Sequence, residues 1–240
     1  MLVKLDQPKL LSDVIGIISE LVTEVRLNFN SRGLSIIAID PANVALISFS
    51  LPASAFSQYE AEEEKLGVSL DSLKSVLRRS GIGSSIILKT EGNQLKIEIH
   101  DKIKRNFSLA LIEIEGEEKE APSLNFSSKV EMSSMDFLDS VEDCSIVADS
   151  CSFIVKDDKF VIEASGLHSA RSEFSSDEAS ISGKGKSRFS LEYLQKFSKA
   201  CKLSDKVIIN LGEDYPLKLE FKSGNVELMF VLAPRVEAED

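Results

Sequence analysis

One motif, written twice, constrains this chain more than any other feature of it. The first copy runs Ser69-Leu70-Asp71-Ser72-Leu73, Val76-Leu77-Arg78-Arg79-Ser80-Gly81, then Ile86-Ile87-Leu88 and Leu95-Lys96-Ile97-Glu98-Ile99. The second runs Ser190-Leu191-Glu192-Tyr193-Leu194, Phe197-Ser198-Lys199-Ala200-Cys201, then Val207-Ile208-Ile209 and Leu217-Lys218-Leu219-Glu220-Phe221. Ser69 and Ser190 stand 121 residues apart, as do Ile86 and Val207, and Leu95 and Leu217 stand 122 apart. A spacing that holds this steady from residue 69 to residue 99 predicts a duplicated helix–strand–strand unit, and hence two similar domains.

Each copy has a physical reading. The opening serine can accept a hydrogen bond from the free amides of a first helical turn, and Asp71 or Glu192 puts negative charge at the positive end of the helix dipole. At about 100° per residue, Leu70, Leu73, Val76 and Leu77 share one face, as do Leu191, Leu194, Phe197 and Cys201. Those faces predict core, and the opposite faces carry Lys74 and Arg78 in one copy and Lys196, Lys199 and Lys202 in the other. Gly81 reads as a helix stop, after which the apolar period changes to two, as in strands with one wet face.

With 240 residues and 43% hydrophobic content, the chain can bury a core in each of two domains. Strands are expected at 2–5, 25–30, 34–39 and 44–51, with a turn at Ser31-Arg32-Gly33, and a helix at 9–24. Pro52 ends the last of these strands because it has no amide to give a ladder. After the first copy comes a strand at 105–112. The run from Glu113 to Pro122 is too charged to bury itself and reads as a connector. The second half opens alike: a strand at 129–132, then a helix at 134–148 capped by Ser134, with Asp136, Asp139, Glu142 and Asp143 on its outer face. Strands follow at 152–155, 160–164, 170–175 and 179–182, before a Gly183-Lys184-Gly185-Lys186 hairpin turn. The class is therefore α+β: domains at 1–112 and 124–236, a connector at 113–123 and an acidic tail at 237–240.

A net charge of −11 counts against nucleic acid as a partner when taken as a sum. Its distribution points the other way. The acidic residues crowd 60–64, 113–120 and the carboxyl end, whereas cations recur on the outer faces of both repeated helices. No apolar run approaches the roughly 18 residues of a membrane span, and no secretory leader pattern opens the chain, so a soluble protein not exported by that route is expected. Cys144, Cys151 and Cys201 lack CxxC spacing and suggest neither a disulfide framework nor a zinc site. His100 and His168 accompany no nucleophile motif, and Gly185-Lys186-Ser187 lacks the upstream glycine of a phosphate loop. Asp157-Asp158 and Glu62-Glu63-Glu64 read as solvated loops. No catalytic machinery is expected.

The stretch Gly33-Leu34-Ser35-Ile36-Ile37-Ala38-Ile39-Asp40-Pro41-Ala42-Asn43-Val44-Ala45-Leu46, with Leu51-Pro52, Asp214-Tyr215-Pro216-Leu217-Lys218-Leu219-Glu220-Phe221 and the ending Leu232-Ala233-Pro234-Arg235, resembles the proliferating cell nuclear antigen family of DNA sliding clamps. In length it looks most like the archaeal members. The resemblance implies a non-enzymatic processivity factor without metal or cofactor. Three subunits, alike or unlike, would form a ring with sheets outside and helices lining a hole around duplex DNA. It would work in an archaeal cytoplasm beside the nucleoid, or in a nucleus if the source is eukaryotic. Lys74, Arg78, Arg79, Lys196, Lys199 and Lys202 would then face phosphate, where contacts carry no sequence information. Edge strands would close the ring, Arg105, Phe107, Leu109 and Leu111 of one subunit against Ala170, Ser172 and Phe174 of the next. The resemblance also implies a clamp loader, and docking peptides of polymerase, flap endonuclease and ligase. Their pocket, between the domains, would take Ile39, Val44, Leu46, Pro216, Leu232, Ala233 and Pro234, with Glu118, Lys119, Ala121 and Pro122 of the connector beside it.

Overall fold

The computed structural model describes residues 1–115 and 122–235. The expectations placed on Glu118, Lys119, Ala121 and the tail at 237–240 therefore lie outside the described residues, whereas Pro122 is exposed. The chain divides into two compact units, one of Met1–Pro41, Ile47–Ala121 and Gly224–Glu227, the other of Ala42–Leu46, Pro122–Ser223 and Leu228–Asp240.

In the first unit, β1 (Leu2–Leu5), α1 (Lys9–Ile18), β2 (Glu24–Asn30), β3 (Gly33–Ile39) and β4 (Ala45–Pro52) lead to β5 (Gln58–Glu60) and β6 (Glu64–Ser69). Then come α2 (Leu70–Leu77), β7 (Ser85–Glu91), β8 (Gln94–His100) and β9 (Lys104–Ala110). The second half repeats this series: β10 (Ser128–Ser133), α3 (Ser134–Val147), β11 (Ser150–Lys156), β12 (Lys159–Ser165), β13 (Ser169–Phe174), β14 (Ser180–Gly183) and β15 (Gly185–Ser190). It ends with α4 (Leu191–Ser198), β16 (Lys206–Leu211), β17 (Leu217–Ser223) and β18 (Val226–Leu232). Strand order shows the duplication more fully than sequence does. Neighbours run β5-β1-β7-β8-β9 in one half and β14-β10-β16-β17-β18 in the other; likewise β4-β3-β2-β6 answers β13-β12-β11-β15. The fold is α+β, sheet-rich and mostly antiparallel.

Alternation explains the strands: β8 buries Leu95, Ile97 and Ile99 and turns Lys96 and Glu98 outward. The second unit's core centres on Phe153, whose ring meets Phe137, Phe160 and Phe189 edge-on at centroid distances of 6.1, 5.7 and 5.5 Å. Phe197 stacks on Phe230 at 4.4 Å. The helix starts share one device. The first amide of α2, α3 and α4 donates to the carbonyl of Thr23, Asp205 and Asp149 respectively, at 2.8–3.0 Å. A main-chain acceptor therefore meets one of the donors that every helix start leaves open.

Several local expectations are corrected. The first helix stops at Ile18 and not at residue 24, since Ser19 Oγ donates back to the Gly16 carbonyl and Glu20 and Leu21 make tightened i→i+3 bonds. Ser69 and Ser190 occupy cap positions without side-chain cap bonds. The cap of α3 is Ser133, whose side chain accepts from the Asp136 amide at 3.3 Å, while Ser134 lies one residue inside with its buried Oγ unpartnered. Helix α2 ends at Leu77, ahead of Gly81. Gly183-Lys184-Gly185 is not a hairpin turn: β14 pairs with β10, β15 with β11, and the chain passes from one sheet to another. Asp157-Asp158 proves to be the two-residue turn of the β11–β12 hairpin, both residues at positive φ (54° and 59°), a conformation that aspartate tolerates better than most side chains. The acidic run at 60–64 ends in β6, which the sequence reading missed; Leu66 and Val68 point inward there.

Candidate functional site

The expected DNA-facing cations do not stand in equivalent surroundings. On α2, burial of Leu70, Leu73, Val76 and Leu77 leaves Lys74 on the far side, half-buried, its Nζ donating to Ser19 Oγ at 2.7 Å. Arg78 and Arg79 follow the helix and are exposed. On α4, Leu191, Leu194 and Phe197 face the core. Lys196 pairs with Glu192 at 2.8 Å and stands 5.2 Å from the Tyr193 ring centre. That outer face is therefore not purely basic. Lys199 and Lys202 lie exposed in the 3-10 turn of Lys199–Leu203 that continues α4. Cations placed beyond the last helical turn also suit the negative end of the dipole.

The other two helices present acid. Asp13 of α1 is paired with Lys9 at 2.6 Å. Asp139, Glu142 and Asp143 of α3 are exposed, with no ion-pair partner among the described residues.

Strands β9 and β13 each end a row of strands. On β9, Arg105, Phe107 and Leu109 are half-buried on one face, Lys104, Asn106, Ser108 and Ala110 exposed on the other, and Leu111 follows half-buried. Arg105 pairs with Asp101 while its Nε is buried without a partner. On β13, Ala170, Ser172 and Phe174 are half-buried, with Phe174 stacked on Phe160 at 6.2 Å. Glu98, on the wet face of β8, is ringed by Lys104, Lys89 and His100 at 2.7, 2.8 and 3.1 Å. Chiefly the Lys104 bond, then those of Lys89 and His100, holds its carboxyl down at about 2.

The expected docking residues divide. Ile39 belongs to the first unit, half-buried at the end of β3. Val44, Leu46, Pro216, Leu232, Ala233 and Pro234 belong to the second, where the Ala233 amide donates to the Val44 carbonyl at 2.8 Å. The Arg235 amide donates to the Arg188 carbonyl at 2.7 Å, and its guanidinium reaches Asp149 at 2.9 Å. Leu46 and Leu232 are only 6% and 1% exposed and serve as core, contrary to the expectation of an exposed set. Val44, Pro216, Ala233 and Pro234 are half-buried and offer surface. The sequence reading missed Phe126, packed edge-on against Tyr215 at 5.7 Å with Lys218 Nζ 5.6 Å from its ring centre. Its signal was a lone aromatic in the polar stretch after Pro122, and Tyr215 directly precedes Pro216.

Cys144 and Cys151 are buried; the hydrogen bond between their thiols lowers the pKa of the first and, with burial, raises that of the second. Burial pushes the Cys201 thiol up to about 12. No group of three or more potential metal ligands lies among the described residues, and no described helix is long and apolar enough to cross a membrane.

Two family models match: the N-terminal domain of proliferating cell nuclear antigen over residues 1–119 and its C-terminal domain over residues 120–236. DNA polymerase sliding clamp 1 of Thermococcus kodakarensis is 34% identical over 241 residues, covering 97% of each chain. The DNA polymerase sliding clamp of Methanothermobacter thermautotrophicus is also 34% identical over 241 residues, covering 99% of this chain and 98% of its own. Among solved structures, the PCNA2–PCNA3 complex of Sulfolobus tokodaii gives a TM-score of 0.90 at 30% identity, covering 99% of this chain and 100% of that one. PCNA from Thermococcus kodakaraensis gives 0.90 at 26%, covering 98% and 99%.

Proposed function

The chain belongs to the proliferating cell nuclear antigen family of DNA sliding clamps, and from that premise we propose that it is a processivity factor that encircles duplex DNA and tethers replication enzymes to it. The observation that carries the reading is the family match over both halves of one duplicated fold. The clamp acts by holding and not by catalysis. Its ring takes two further subunits, joined β9 to β13, and a loader opens it. Lys74, Arg78, Arg79, Lys196, Lys199 and Lys202 meet phosphate without reading bases. Arg78, Arg79, Lys199 and Lys202, which are exposed, carry more of that contact than the half-buried Lys74 and Lys196.

Polymerase, flap endonuclease and ligase dock through short peptides with apolar anchors. Val44, Pro216, Ala233 and Pro234 of the second unit receive them, and Leu46 and Leu232 of the same unit are buried as core. Each buried anchor contributes roughly 1.5–3 kcal/mol. The test is primer extension on a loaded circular template by a polymerase carrying such a peptide. The chain should lengthen the products, and Val44→Asp with Pro234→Asp should abolish the gain while the far-ultraviolet dichroism is unchanged. Full stimulation by that variant would refute the docking assignment.

A further inference from the structure

All three cysteines are buried and free, and two of them are neighbours in space. Cys144 turns inward from the last turn of α3 and Cys151 stands near the start of β11, each only 1% exposed, and their thiols share a hydrogen bond. Cys201 lies elsewhere, in the 3-10 turn after α4. The spacing of Cys144 and Cys151 matches no redox motif; it is the extended residue Ala148, where α3 stops, that lets β11 come back beside the helix. The two sides are held unequally. On the strand side, the Asp149 carbonyl accepts the Leu191 amide at 3.0 Å, Ser150 Oγ accepts from Arg188 Nε at 2.9 Å, and the Asp149 carboxylate takes Arg235 at 2.9 Å. On the helix side, the Ala148 amide makes the last bond back to the Cys144 carbonyl at 3.2 Å, and Ile146 is 81% exposed. Helix ends open locally at far lower cost than the core, so fraying of this one turn admits a small oxidant to Cys144.

We propose that Cys144 and Cys151 form a dithiol oxidation site, which a hydroperoxide converts to an intramolecular disulfide tying the end of α3 to β11 and which a thiol reductant restores. The Cys144 thiolate attacks a peroxide oxygen, forming an S–O bond as the O–O bond breaks and hydroxide leaves. The Cys151 sulfur then attacks the sulfenic sulfur and displaces a second hydroxide; the two thiol protons turn both hydroxides into water. Each sulfur gives one electron and the peroxide takes two. Cys144 reacts first, because the bond from Cys151 lowers its pKa against the opposing charges of Asp143 and Glu163, while the same bond and burial raise that of Cys151. A resolving thiol already in contact captures the sulfenic acid before it passes to the irreversible sulfinic and sulfonic acids. The pair lies wholly within the second unit, so its chemistry stands whether or not the chain encircles DNA.

The test exposes the folded, reduced chain to hydrogen peroxide, quenches with catalase, and then unfolds it in iodoacetamide. One thiol, that of Cys201, should remain to be alkylated in place of three. Tryptic peptide 130–156 holds both cysteines, and cleavage beside Asp149 should leave its two parts joined until dithiothreitol is added. Cys144→Ser and Cys151→Ser should each abolish the joined fragments, and Cys201→Ser should leave them. Amides in the last turn of α3 should exchange at least about tenfold more slowly in the oxidised chain. Three alkylated thiols at a dose that fully oxidises free glutathione, Cys144 found as sulfinic acid beside an unreacted Cys151, a bridge between two chains, or joined fragments only when peroxide is added in urea overturns the proposal. If a serine variant does not fold, the fragments from the unaltered chain decide.

Discussion

Replacing Phe153 should unfold the second unit from its centre and leave the first intact. Its side chain is fully buried and makes three edge-on ring contacts, with Phe137 on α3, Phe160 on β12 and Phe189 on β15. A buried Phe→Ala change costs about 3–5 kcal/mol through lost transfer energy and the cavity left behind. Edge-on aromatic pairs add about 0.5–1.5 kcal/mol each beyond area, and three of them place Phe153→Ala at the upper end of that range. Phe153→Leu fills most of the volume but loses the ring geometry, so about 2 kcal/mol is expected. Against a stability of about 5–15 kcal/mol, the alanine variant should leave this unit marginal. A chain of two units need not unfold in one step, so the readout must be local. Hydrogen exchange along a urea series should show β11, β12 and β15 losing protection while β7 and β8 keep theirs. A cost below about 1.5 kcal/mol for alanine, or equal loss in both units, would refute the reasoning.

The Glu98 carboxyl, held at about 2 against an ordinary 4.5, should contribute stability that is full above pH 4.5 and lost as pH falls towards 2. Because Lys104 is more than half exposed, solvent screening keeps the contribution near 1 kcal/mol or less; carbon-13 titration should show the carboxyl moving up in Lys104→Ala. Ser133→Ala removes the side-chain cap of α3 and should cost about 1 kcal/mol in thermal unfolding, where Ser69→Ala, lacking such a bond, should cost less. Gly183 has φ +79°, and a Cβ there would stand 2.0 Å from the Ser127 carbonyl oxygen, so Gly183→Ala should destabilise by about 2 kcal/mol or more and expose β14 to exchange.

The duplication was legible because both copies keep two periods in series, 3.6 residues on α2 and α4 and then 2 on the strands that follow, and burial at Leu70, Leu73, Leu191 and Leu194 follows that pattern. What the sequence hid was set by long-range partners. Nothing local to Ser69 reveals that a carbonyl from Thr23 meets the start of α2, so a serine cap looked sufficient. Gly183 and Gly185 carry hairpin composition, but they pair with Ser128 of β10 and Val155 of β11, 55 and 30 residues away in the chain. At the candidate docking surface, the sequence named a set of residues without separating buried from half-buried. Leu46 and Leu232 lie buried inside β4 and β18, Val44 and Ala233 half-buried just beyond the ends of those strands, and only coordinates show where the cover stops. The helix cations were found by spacing, yet the Lys196–Glu192 pair and the Lys74–Ser19 bond depend on side-chain reach.

Retention on DNA of different topology tests the central claim most directly. Labelled chain is placed by a loader on nicked circular duplex, passed over a sizing column, and passed again after one restriction cut. A clamp that holds by encirclement should stay with the circle, survive about 0.5 M salt that strips electrostatic binders, and leave with the cut ends. Equal retention on circle and linear duplex, or loss from both at raised salt, would contradict it.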